Sequence, residues 1–359
     1  MNNLFIVGPM ISQHIQSWYE GWENEAKLHI FTIHPGGRKP PDYAVIHNVK
    51  ITGTRLDFLL LIPIFLYHWY KLKPKITNFH YLSSYGLLAL FLPKNGLILN
   101  TWGSDVNLPY KSKSYIRRWF INKALNKFIW INAPAKHIKE KLIRLGADEN
   151  IIDVFQYGIN VGIPSQSLNK RKNERIVFIS NRNWQPVYNI SKIIKEFLSW
   201  QKISKYDAEL WIYGRGNERE KRDIMDSLIV YNVLLQSKII FKGYTEKQNM
   251  LNEITNANIY ISIPKRDGTP LSLLEAMNLG LYPIVSDIDA NHEWLTEKSA
   301  IFVDINKRNS LQNAFEKAIE NYYQSNWQTT NHSMIYKYAN ANINVPRFQE
   351  MIIKLIKQN

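Results

Sequence analysis

The sequence predicts an α/β protein made of two doubly wound domains, and three observations predict it. Short apolar, β-branched runs alternate with segments of helical apolar spacing along most of the chain, the pattern of parallel sheets covered by helices. That alternation starts twice, at residues 4–8 and again at residues 175–180. With 359 residues, 45% of them hydrophobic, the chain is long enough to bury two cores.

In the first half, residues 4–8 read as a strand, 13–25 as a helix and 29–33 as the next strand, a βαβ opening. The N-terminus lacks a basic n-region and a long apolar core, so it reads as a first strand and not as a signal peptide. Residues 45–46 and 49–51 are short strand candidates. The most apolar stretch, Phe58 to Tyr67, falls well short of the roughly 20 residues that span a bilayer. Pro63 also interrupts it, so it reads as a buried or membrane-grazing helix. Strands follow at 77–81, 96–102, 127–131 and 152–155, with helices at 85–92, 114–125 and 135–145. The polar run Asn169-Lys170-Arg171-Lys172-Asn173-Glu174 is the natural linker, which sets domains at 1–168 and 169–335. Second-half strands are expected at 209–213, 239–241, 259–263, 282–286 and 301–302, and a last amphipathic helix at 345–357.

Composition narrows the chemistry. There is no cysteine, which excludes a disulfide framework, a thiolate nucleophile and a Cys-ligated metal. The net charge of +15 suggests an anionic partner: nucleic acid, an acidic membrane or a phosphorylated substrate. No helix-turn-helix, zinc or aromatic RNA-binding signature accompanies that charge, which argues against nucleic acid. Residues 111–123 place five cations, Lys111, Lys113, Arg117, Arg118 and Lys123, among Tyr115, Ile116, Trp119 and Phe120. Such a segment suits an anionic bilayer surface; the alternative is a solvated basic helix face.

The second half is organised around Pro264 to Leu295. The turn Gly268-Thr269-Pro270 feeds a helix, with Thr269 expected as N-cap and Pro270 at the first helical position, and Gly280 ends it. Such a helix points unpaired N–H groups and its positive dipole end outward, which suits a phosphate or diphosphate. Glu275 stands inside the apolar run Leu271, Leu273, Leu274, Ala276, Met277, where carboxylates are rarely buried alone. It can reach back toward a ligand at the turn, or it can pair with a Lys or Arg elsewhere in an ordinary βα unit.

Asp267-x7-Glu275, with Gly-Thr-Pro-Leu-Ser-Leu-Leu-Glu-Ala-Met following Asp267, resembles the Glu-x7-Glu donor motif of the family 4 retaining glycosyltransferases. The resemblance implies the GT-B fold, two Rossmann-like domains facing a cleft, with a C-terminal helix of about residues 336–359 crossing back to the first. It implies a hexosyl transfer from a nucleoside diphosphate sugar to a hydroxyl of a saccharide or lipid-linked saccharide, with retention and without cofactor or metal. The first domain would bind the acceptor and the second the donor.

Carried over residue by residue, Glu275 would hold the ribose and Asp267, one methylene shorter than the family's Glu, the sugar. Gly268, Thr269, Pro270, Leu271 and Ser272 would hold the diphosphate and sugar. Arg182 matches an arginine that neutralises the leaving diphosphate, while Tyr188 stands where the family has a Lys; Arg215, Lys265 or Arg266 could supply that charge. Tyr244 is the candidate for base stacking. In the first half, Thr101-Trp102-Gly103-Ser104-Asp105 resembles the family's His-Gly-x-Asp with Trp102 in place of His. Asp105 is then the polar candidate at the reaction centre, its alternative being a turn cap. His14, His80 and Trp102 are acceptor candidates. Asp287-Ile288-Asp289 lies in a stretch that matches a metal-independent loop, so no metal is read there. These features together suggest a cytoplasmic enzyme, peripheral on the inner membrane face, in polysaccharide or glycolipid synthesis. Because Asp267, Tyr188 and Trp102 all depart from the family, a catalytically weak sugar- or nucleotide-binding subunit is the alternative.

Overall fold

All strands of the first half run parallel, in the order β3-β2-β1-β4-β5-β6-β7. They are β1 (Asn2–Val7), β2 (Ala26–Thr32), β3 (Val45–Asn48), β4 (Ile76–His80), β5 (Leu97–Asn100), β6 (Trp130–Ala133) and β7 (Ile152–Val154). The second half repeats the design with β8 (Ile176–Ser180), β9 (Ala208–Tyr213), β10 (Ile239–Gly243), β11 (Ile259–Ser262), β12 (Tyr282–Ser286) and β13 (Ile301–Val303), ordered β10-β9-β8-β11-β12-β13. The structure is a computed structural model and describes residues 2–54, 56–161, 175–324 and 326–358. The expected linker at 169–174 lies outside the described residues.

The chain divides into two units, Met1–Tyr157 with Ala341–Asn359, and Gly158–Asn340. In the first, one face of the sheet packs Phe5, Phe31, Phe79 and Leu99 against helices that contribute Leu61, Phe65, Ile121 and Leu142. The other face packs Leu4, Ile6, Ile30 and Ile98 against Trp18, Tyr19 and Trp22, and against Phe348, Ile352 and Ile356 of the helix Ala341–Gln358. The second unit likewise buries both faces of its sheet, around Phe178, Leu210 and Ile261 on one side and Ile179, Tyr260 and Leu274 on the other. Gly158 opens this unit at φ +89, where a Cβ would meet Ala339 O at 1.9 Å. Only glycine lets the chain pass that close beside residues 339–340, and Ile159 then donates its N–H to Ala339 O at 2.8 Å.

Several local expectations need correction. The helix expected at 13–25 is only Gln13–Gln16, because Trp18, Tyr19 and Trp22 are all buried and Gly21 takes φ +86. Residues 49–51 are not a strand, since after Val49 the chain turns into the Asp57 loop. There Asp57 accepts the N–H groups of Ile51, Thr52 and Gly53. Residues 85–91 form a 3-10 helix, and the strand expected at 127–131 lies at Trp130–Ala133.

The shared order 3-2-1-4-5-6 reverses direction between β1 and β4 in the first sheet and between β8 and β11 in the second. In open α/β sheets that reversal opens a crevice at the carboxyl ends of the strands, where ligands bind.

Candidate functional site

In the second unit the loops leaving β8 and β11 flank that crevice, and they carry Arg182 and Asp267. The Arg182 guanidinium donates to Asp267 Oδ2 at 2.6 Å and to Ser272 Oγ at 2.8 Å, so one side chain ties both loops to the first turn of the helix Leu271–Asn278. Asp267 Oδ1 accepts the Gly268 N–H at 2.8 Å, and Tyr260 donates to Ser272 Oγ at 2.9 Å. Arg182 and Asp267 are only 10% and 16% exposed. The Arg182 guanidinium also lies over the Tyr188 ring at 4.2 Å, so the residue standing in the family's Lys position supports the arginine instead of adding a charge.

The helix begins one residue later than expected. Pro270, with ψ 86, is the N-cap residue and Leu271 the first helical one; no side chain caps the end. Thr269 contributes its carbonyl to the Leu271 N–H at 3.0 Å, because a proline outside helical ψ moves the start past it. The helix end therefore keeps the positive pole of its dipole and a neighbouring guanidinium on the same spot. Two positive groups repel unless a negative one lies between them. Asp267 is that group within the protein, and the same geometry suits an anion.

Glu275 is 7% exposed, and its Oε1 lies 2.6 Å from Lys247 Nζ in the helix Lys247–Ile254. The cation left open by the sequence is thus Lys247, a residue that no local spacing singled out because it lies on another helix. Arg215 and Tyr244 come together at the ends of β9 and β10, with the guanidinium 4.6 Å above the ring. Gly214 makes that possible: it takes φ +88, and any Cβ there would come within 2.7 Å of Arg182 O. Beyond it, the backbone N–H of Trp184 donates to Arg215 O at 3.1 Å. Tyr244 is 71% exposed, and Lys265 and Arg266 are exposed beside Asp267. Gly268 and Pro270 are buried, and Thr269, Leu271 and Ser272 half-buried. Asn189, in the left-handed conformation, bonds Ile263 O at 2.7 Å and so fixes the spacing of the two loops.

The corresponding edge of the first unit is aromatic. His14 and Trp102 have ring centroids 4.8 Å apart, and His80 meets Trp102 edge-on at 6.1 Å. Both ring nitrogens of His80 and the Trp102 indole nitrogen are buried without a partner among the described residues. Burial, helped by His14, pushes the His80 pKa down to about 3. Asp105, expected at the reaction centre, is fully buried. Its two oxygens accept the N–H groups of Leu82 at 2.7 Å and Trp102 at 2.9 Å. Burial raises its pKa to about 6 against those hydrogen bonds. It fastens the loops after β4 and β5 to each other, the turn-capping alternative, and offers no free oxygen to a reacting group.

Asp287 is engaged by His292 Nε2 at 2.6 Å, and no group of three or more His, Asp or Glu among the described residues is arranged to hold a metal. A cavity of about 440 Å³ in the second unit is lined by Trp294, Thr296, Ser333 and Lys337 and includes none of the residues above.

Comparison with known proteins agrees with the fold. Residues 164–339 match the family model for glycosyl transferases group 1. HepE of Anabaena, solved in complex with UDP, has a TM-score of 0.75 at 10% identity, over 98% of this chain and 99% of that one. Sucrose-phosphate synthase from Thermosynechococcus elongatus gives 0.79 at 12% identity, over 100% of both chains. The lipopolysaccharide outer core galactosyltransferase WaaB gives 0.68 at 12% identity, over 99% of each. At such identities the likeness is one of fold, and the fold is GT-B. No curated protein matches in sequence.

Proposed function

We propose that this chain is a retaining, metal-independent glycosyltransferase of the family 4 type. It moves a hexosyl group from a nucleoside diphosphate sugar to a hydroxyl of a saccharide or lipid-linked saccharide. One observation carries this: Arg182 bridges the two loops at the β8/β11 reversal and sits on the uncapped start of the helix Leu271–Asn278, inside the stretch that matches the family model. HepE has been solved with UDP and with UDP-glucose, which favours a uridine nucleotide here.

In this mechanism the diphosphate takes the place of Asp267 as the anion between Arg182 and the helix end, with exposed Arg215, Lys265 and Arg266 adding charge from outside. Asp267, freed from Arg182, orients the sugar hydroxyls. Glu275, held by Lys247, accepts from the ribose, and the base stacks on Tyr244. The bond from the anomeric carbon to the diphosphate breaks, and a bond to the acceptor oxygen forms on the same face. The acceptor proton passes to the departing phosphate oxygen, so no enzyme nucleophile is required, and binding energy is spent on alignment. Trp102 and His14 supply an aromatic surface for the acceptor, with the fully buried His80 ring packed behind Trp102. The enzyme works in the cytoplasm at the inner membrane face, in cell-surface polysaccharide or glycolipid synthesis.

Titration calorimetry with UDP, GDP and ADP, followed by turnover of the matching sugars, tests this. Binding of one nucleotide, with turnover lost in Glu275→Ala, is the expected result. Failure of all three to bind overturns it. Binding without turnover supports the second reading, a sugar- or nucleotide-binding subunit, which is favoured by an Asp267 whose two oxygens are both taken.

A further inference from the structure

Two helices of the first unit present apolar side chains to water on a side where the fold gives them nothing to pack against. The helix Leu56–Leu72 buries Leu61 and Phe65 in the core, yet Leu56, Leu59, Leu60, Ile64, Tyr67 and Tyr70 are exposed, Leu59 at 63%. Their spacing of three and four residues puts them in one stripe along the helix. The helix Tyr115–Leu125 repeats this. Ile121, Ala124 and Leu125 are buried, while Tyr115, Ile116, Trp119 and Phe120 share another side and are exposed, Tyr115 at 87% and Trp119 at 56%.

Both helices lie on the same side of the sheet, since both feed one core cluster. The 3-10 helix Tyr85–Phe91 lies with them: Tyr85 meets Phe58 at 5.1 Å between ring centroids, and Phe91 is exposed. Helices apolar on both sides are unusual in water, and exposed apolar patches this extended mark a contact surface.

Charge says what kind of surface. From Leu56 to Asn126 the sequence carries nine lysines and arginines and two acids, Asp57 and Asp105. All nine cations are exposed and both acids are buried. A protein partner would need matching acids and an apolar groove at once. A bilayer with anionic headgroups over an acyl layer offers both in the required order, with Tyr and Trp at the interface between them.

We infer that this face, the helices 56–72 and 115–125 with Phe91 beside them, docks flat on an anionic lipid bilayer. It lies on the membrane without crossing it: no helix among the described residues is long and apolar enough to span one. The helix 56–72 is thereby a second docking element beside the basic one. Neither depends on the transfer reaction, so lipid binding and nucleotide binding can fail separately.

The test is co-sedimentation of the full chain with vesicles of phosphatidylcholine alone or with about one third phosphatidylglycerol, without nucleotide. The expected result is binding to the anionic vesicles only. Arg117→Gln with Arg118→Gln weakens it by roughly thirtyfold. Trp119→Ala or Leu59→Ser weakens it by about tenfold at unchanged thermal midpoint and unchanged UDP titration. Emission from Trp119, read as the difference between the wild type and Trp119→Phe, shifts to the blue on binding. No binding to anionic vesicles overturns the inference. So does binding that the charge substitutions abolish while Trp119→Ala and Leu59→Ser leave it unchanged. A concentration-dependent dimer lost in Ile116→Asp, with no vesicle binding, would assign the face to a second copy of the chain instead.

Discussion

The two units share a strand order but differ in what stands at the point where that order reverses. In the second unit it is charge paired with charge: Arg182 on Asp267, and Lys247 on Glu275. In the first it is rings, with His14, His80 and Trp102 packed together and the one nearby acid, Asp105, consumed by backbone amides. A buried ion pair is costly to assemble and costly to break, so it is a poor source of stability but a good way to hold a cation in position. Packed rings suit an uncharged, ring-shaped ligand. One scaffold thus carries paired charges at the reversal in one unit and packed rings in the other.

The sharpest way to break this contrast is to remove the cation. Arg182→Met is expected to lower turnover of the nucleotide sugar by about a thousandfold, since one preorganised group stabilising a departing anion is worth about that much. Trp102→Phe should instead raise the KM for the acceptor and leave nucleotide affinity unchanged. Steady-state kinetics with both substrates varied would separate the two; equal effects on donor and acceptor constants would dissolve the distinction.

Stability gives the next test. Asp267→Ala leaves Arg182 buried without its partner and is expected to cost about 3 kcal/mol in urea unfolding. Arg175→Ala removes an exposed pair with Asp207 and Glu209 and should leave the urea midpoint nearly unchanged.

The first unit should respond to pH through its buried histidines. His29 and His47 touch through ring nitrogens at 3.1 Å, and burial lowers both pKa values to about 4; His80 falls to about 3. Unfolded histidine titrates near 6.5, so between those values the unfolded chain binds more protons. These three groups therefore remove stability as pH falls from about 6.5 toward 4. Asp105 works the other way: with its folded pKa about 6 against an ordinary 3.8, it costs stability as pH rises through that interval. Three histidines outweigh one acid, so the unfolding free energy should fall by on the order of 2 kcal/mol across the window. His47→Gln should flatten the profile, and an unchanged profile would remove the histidines from the account.

Within the proposed donor site the smallest expected effect is Tyr244→Ala, a loss of about fivefold in nucleotide affinity by calorimetry. No change there would take base stacking out of the donor site.

Much of this was legible in the chain. Apolar runs located most strands of both sheets, because a strand buried on both faces is mostly apolar. The turn at Gly268-Thr269-Pro270 announced a helix start to within one residue, since proline and glycine act locally on φ and ψ. The aromatic run at Trp18–Trp22 misled, as helical spacing cannot tell a helix from a loop whose large rings fill a core.

Residue order alone, then, determined the two α/β units and the helix start after Gly268-Thr269-Pro270, because periodicity and turn chemistry act over a few residues. Only the folded chain decided partners. It brought Lys247 to Glu275, Arg182 to Asp267 and the Leu82 amide to Asp105, and it left the apolar stripes of helices 56–72 and 115–125 facing water. Such pairings join residues far apart in sequence, and their energies depend on distance and burial, which exist only once the sheets have formed.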